Sequence, residues 1–163
     1  MEHYHALIES AHKKLVTADR FLNFTFHIVN EPKLLLGVAE NLLNASTDMM
    51  TALLYFDLKY KFIQPFKEEL HHKLSAFRQA MLRHNLAESS IKLIEELNAI
   101  VLSHKSCPVE FVKNKSLIMC SKNYECRALT FEMTLEYFKK AKIFINSVEQ
   151  SILKHERDYR RFS

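Results

Sequence analysis

Apolar residues recur along this chain at steps of three and four, the spacing that places side chains on one face of an α-helix. Tyr4, Leu7, Ala11, Leu15, Ala18, Leu22 and Val29 follow it and predict a first helix over about 2–29. Asn30, Glu31 and Pro32 end that run, and Pro32 suits the first turn of a second helix, where a missing N–H costs nothing. The second helix is predicted from Pro32 to about Phe62. Its apolar residues, from Leu34 through Leu42, Met49 and Leu53 to Phe56, cover more than half the helical wheel. Such a helix is central and touches neighbours on most sides.

Gln64 and Pro65 break the chain again. A third helix is expected over about 66–82, with Phe66, Leu70, Leu74, Phe77 and Met81 on one face. Arg83, His84 and Asn85 read as a polar turn. A fourth helix follows over about 87–104, using Ile91, Ile94, Leu97 and Val101. The segment 106–130 changes character: short, partly alternating runs at 109–112, 116–120 and 126–130 flank a turn-like 121–124, which predicts a small β-hairpin. Thr130 can cap a last helix over about 131–159, with Leu135, Phe138, Ala141, Ile145, Val148 and Ile152 inward. The charged tail from Lys154 onward is expected to fray.

With no repeat or linker, the chain reads as one domain over 1–163. Its fold class is all-α: a five-helix, mostly antiparallel bundle with a short β-hairpin between the fourth and fifth helices. Composition strengthens this. There is a single glycine, Gly37, and three prolines. A chain so poor in turn formers makes few tight turns, which excludes a sandwich or many-stranded barrel. The apolar perimeter of the second helix is more than its neighbours in one chain need cover, and this predicts a homodimer.

The formal net charge of +4 permits contact with RNA without requiring it. The three cysteines are an odd number, and the N-terminus lacks a basic stretch leading into an apolar one. Free thiols, a reducing compartment and a cytoplasmic location are expected. The most apolar stretch, 34–56, contains Glu40, Asn41, Asn44 and Asp48, so it is read as a buried helix and no membrane is implied.

Four groups of residues could carry chemistry. His104, Cys107, Cys120 and Cys126 offer the ligand count of a structural zinc site, but six positions separate the last two cysteines, wider than usual. Buried thiols and a packed histidine account for them more simply, and no metal or cofactor is assigned. Glu9 with His12, and Glu69 with His72, match the Glu-x-x-His element of dimetal bundles. Both pairs fall well off the apolar stripe of their helices and so face water. Glu40, Asn44 and Asp48 form a polar stripe on the most apolar helix; it is a solvent strip or an interface whose carboxylates take charge-assisted hydrogen bonds, with Lys13, Lys14, Arg20 and Arg78 as candidate donors.

The last group is an arginine followed at short range by a histidine. Arg20 precedes His27 by seven positions and Arg78 precedes His84 by six, with polar Gln79 after the arginine. In outline the chain is similar to HEPN-domain proteins, compact and often dimeric helical bundles whose catalytic members carry such a pair. Segments 106–111, 123–125 and 137–145 also resemble uncharacterised small helical proteins of archaeal origin. The HEPN resemblance implies RNA as a partner, with Arg78 stabilising phosphate charge and His84 acting as acid or base on a ribose hydroxyl. Seven arginines and nine histidines make chance matches to so loose a spacing expected. The sequence therefore supports a binding or assembly module first, and a HEPN-like RNA-binding protein or ribonuclease as the alternative.

Overall fold

The computed structural model describes residues 3–162. The helix start expected at residue 2 lies outside them. The chain begins with α1 (His3–Arg20), continues through a π-helical turn (Phe21–Thr25) and ends that rod with α2 (Phe26–Val29). There follow α3 (Leu34–Lys59), α4 (Leu70–His84), α5 (Ser89–Ser106), strands β1 (Val109–Lys113), β2 (Ser116–Cys120) and β3 (Cys126–Leu129), and α6 (Phe131–Phe162). The protein is mostly helical, and α3 is its centre, packing against α1, α4, α5 and α6. Leu35, Leu42, Met49, Met50, Leu53, Leu54 and Phe56 of α3 are all inaccessible to solvent. The apolar perimeter of α3 is thus covered within the chain, so it is not the surface that would call for a second copy.

The π turn changes which residues face inward at the end of the first rod. A wide turn accommodates an extra residue, so later positions lag on the wheel. Phe26 is buried and stacks on Phe131 at 5.2 Å. Val29, expected inside, is instead exposed, as are Phe24 (71% accessible) and Ile28 (78%).

The expected hairpin is a three-stranded antiparallel sheet, ordered β1-β2-β3. The third strand sets Cys126 directly opposite Cys120, and the two form a disulfide. Cys107 alone keeps a free thiol. This corrects the expectation of three free thiols and removes the inference from cysteine count to a reducing compartment. Leu117, Met119 and Leu129 turn the inner face of the sheet to the core. Thr130 caps α6 as expected, its hydroxyl accepting from the Met133 N–H at 3.1 Å. No helix among the described residues is long and apolar enough to cross a membrane.

The scarcity of glycine is met by other residues. Left-handed backbone occurs at Asn30, Lys61, Asn85, Asn114, Lys115 and Tyr124. Asparagine tolerates this conformation better than most residues, and it ends two of the helices here. The one glycine, Gly37, sits inside α3, where an added Cβ would meet nothing within 4 Å. Gly37→Ala should therefore stabilise the fold by about 0.5–1 kcal/mol through helix propensity alone. A melting temperature that falls on this substitution would contradict the helical packing described around α3.

Candidate functional site: an aromatic and basic end over a buried histidine

Two carboxylates stand where the pattern of α3 and α6 calls for apolar residues. Asp57 follows Leu53 by four and Met50 by seven, both fully buried. Glu156 follows Ile152 by four on the inner face of α6. Both are buried, and both are hydrogen-bonded near the same end of the molecule.

Asp57 lies at the end of α3. Its Oδ1 is 2.7 Å from His84 Nε2, and His84 Nδ1 is 2.7 Å from the Ser151 hydroxyl on α6. The Asp57 and His84 side chains are wholly inaccessible. An ionised carboxylate only accepts, so Nε2 carries the ring proton; in the neutral ring Nδ1 then accepts from Ser151. One polar chain thus joins α3, α4 and α6. Asp57 Oδ2 is buried without a hydrogen-bond partner among the described residues. On the opposite side Tyr4 donates to Glu156, and His5 Nε2 lies 3.2 Å from the same carboxylate, tying the start of α1 to α6. Phe56 sits between the two sets, its ring 5.5 Å from Tyr4, 6.4 Å from His84 and 6.5 Å from His155.

Over this layer lies a triangular cluster of three rings, Tyr60, Phe62 and Tyr159, in which Tyr60 and Phe62 are themselves 6.2 Å apart. The chain leaves α3 through a Schellman closure: the Phe62 N–H donates to the Asp57 carbonyl at 2.8 Å, the Lys61 N–H to the Leu58 carbonyl at 3.1 Å, and Lys61 is left-handed. The closure brings Tyr60 and Phe62 to the same side. Tyr159 of α6 then stacks on Tyr60 at 4.5 Å and 15°, and meets Phe62 at 5.6 Å. Cations flank the cluster. Lys59 Nζ lies 5.2 Å from the Tyr60 ring centre, and the Arg83 guanidinium lies over Phe62. The three rings are half-buried. α6 is helical as far as Phe162, through the charged tail that the sequence suggested would fray.

Charge gathers here as well. Segments 57–62, 81–85 and 154–161 hold seven lysines and arginines and three carboxylates. Two of those carboxylates, Asp57 and Glu156, are the buried ones. The rest of the chain carries sixteen charges of each sign, so the whole formal excess of +4 belongs to these three segments.

The residues singled out from sequence are distributed differently. Arg78 is exposed and paired with Glu95 at 3.2 Å, while His84 is interior. Six positions apart on one helix they point about 120° from each other, and they share no cleft. The structure does not bring the Arg–His pair together. Asp48 accepts from Ser10 at 2.7 Å and from Lys14 at 2.6 Å, so it fastens α1 to α3 within the chain. Asn44 is exposed and Glu40 half-buried. The four residues considered for zinc are not assembled: Cys120 and Cys126 are joined to each other, His104 bonds Glu110, and the half-buried Cys107 packs against the core. Among the described residues no three histidines, cysteines or carboxylates gather to hold a metal. Glu9 is paired with Lys13, and His12 with Glu149 at 2.8 Å.

No family model and no curated protein matches this chain.

Proposed function

We propose that this protein is a helical binding module that takes single-stranded RNA on its aromatic and basic end. The observation that carries this reading is the half-exposed cluster of Tyr60, Phe62 and Tyr159, flanked by Lys59 and Arg83, beside the three segments that hold the entire net charge. Proteins that bind single strands without sequence preference combine cations for the backbone with aromatic faces for the bases. A base stacking on Phe62 displaces Arg83 from that ring, and the freed guanidinium pairs with phosphate. The scaffold is read as a mostly antiparallel five-helix bundle, and a homodimer fits the exposed Phe24, Ile28 and Val29 of the first rod. Light scattering at a mass of one chain would remove the dimer and leave the RNA reading standing.

Fluorescence anisotropy with a labelled 12-nucleotide oligouridylate tests the RNA reading. Binding should weaken steeply with salt, the logarithmic slope falling by about 0.7 for each phosphate neutralised. Tyr159→Ala should cost about 1–3 kcal/mol of affinity, and Tyr159→Phe should keep most of it. Unchanged affinity in Tyr159→Ala, with its helical circular dichroism intact, would exclude the ring cluster as the binding surface.

A further inference from the structure

Away from the aromatic end, a groove of about 360 Å³ lies between the start of α5 and the middle of α6. Its apolar lining is Leu86, Leu93, Ile143 and Phe144, and Ile143 leaves 68% of its surface open to water. An isoleucine so exposed within a concavity is surface that a ligand would cover. The volume falls in the range of small-molecule sites, about 300–1,000 Å³. From Lys140 to Ser147 the α6 wall is about 10 Å long at the helical rise. That is the length of an extended chain of about eight carbons, with carbon–carbon bonds near 1.5 Å.

The polar lining favours one sign of charge. Lys92 stands on the α5 wall and Lys140 on the α6 wall. Lys140 has no ion pair among the described residues. Lys92 reaches Glu96 only at 3.9 Å. Glu96 is the one carboxylate of the lining, and it is engaged elsewhere: burial and the Glu96 carboxylate push the Tyr137 phenol above its usual range, as expected of a phenol that holds its proton beside that carboxylate. An apolar floor between two lysines suits a ligand with an apolar body and one negative head.

We propose that this groove binds a medium-chain aliphatic carboxylate, its chain laid over Ile143, Phe144 and Leu93 and its head between Lys92 and Lys140. The site is separate from the aromatic end, so it does not depend on the RNA reading.

Calorimetric titration of the intact protein with hexanoate, octanoate, decanoate and dodecanoate, each below its micelle concentration, tests this. Affinity should rise by up to about fourfold for each added methylene. It should level off once the chain outgrows the groove, near decanoate. Lys140→Gln should weaken octanoate several-fold and leave octanol unchanged, which a purely apolar surface would not do. Ile143→Asp, at a position already exposed to water and so compatible with folding, should abolish both. The proposal is overturned if octanoate and decanoate do not saturate the protein. It is overturned equally if Ile143→Asp leaves their affinity unchanged, or if Lys140→Gln weakens octanol and octanoate alike.

Discussion

Alanine in place of His84 is expected to cost about 3 kcal/mol or more of folding stability, the penalty of leaving a buried carboxylate without its hydrogen-bond partner. The reason lies in what remains. Asp57 keeps one oxygen bonded only through His84 Nε2, and its other oxygen has no hydrogen-bond partner among the described residues. Without the imidazole, neither side-chain oxygen retains a hydrogen bond among them, and the carboxylate is wholly buried. Domains of this kind are stable by about 5–15 kcal/mol, so the loss is a large share of the total. Urea unfolding measures it directly, as a lower midpoint at unchanged slope. Ser151→Ala should cost less, about 1 kcal/mol, because it removes one neutral hydrogen bond at a half-buried hydroxyl. Removing Asp57 and His84 together should cost less than the sum of the two single losses, since the double variant buries no unpaired charge. A loss below about 1 kcal/mol in His84→Ala would mean that the relay does not hold the three helices together.

The second large effect is expected at Phe56. Its side chain is fully buried and touches both polar sets and Tyr60 of the ring cluster. Phe56→Ala should destabilise by about 3–5 kcal/mol, through lost transfer energy and the cavity left behind. Phe56→Leu, which keeps most of the volume, should cost under about 1.5 kcal/mol. Phe56 also differs from other core phenylalanines in having Tyr60 against it at 4.9 Å. Truncation should therefore loosen the Tyr60–Tyr159 stack and weaken oligouridylate binding under conditions where the variant is still folded. Phe77→Ala serves as the control: Phe77 is equally buried but packs on Phe144, away from the ring cluster. An equal loss of RNA affinity in both variants would mean that global stability, not the support of Tyr60, governs binding.

The sequence by itself determined most of the scaffold, because the information needed was local. Steps of three and four placed each long helix within a few residues of where it lies, and Thr130 announced the cap of α6. The wheel of α3 identified the central helix, since an element apolar on most sides must be enclosed on most sides. Asp57 and Glu156 were not among the residues singled out from sequence, although each follows a buried apolar residue by four positions, a signal on the helical wheel that names no partner. The tertiary structure decided the rest, because the relevant pairings join residues far apart in the chain. Asp57 meets His84 across 27 positions, and His84 meets Ser151 across 67. Tyr60 and Phe62 meet Tyr159 across about a hundred positions, and only through a left-handed Lys61 that no glycine advertised. Cys126 faces Cys120 because a third strand forms, which turns candidate metal ligands into a disulfide. On helix 131–162 the cations by themselves have the pattern of an ordinary solvated face. Folding puts the aromatic rings of the turn after α3 beside them, and that juxtaposition of stacking surface and positive charge is a property of the packed helices rather than of any one of them.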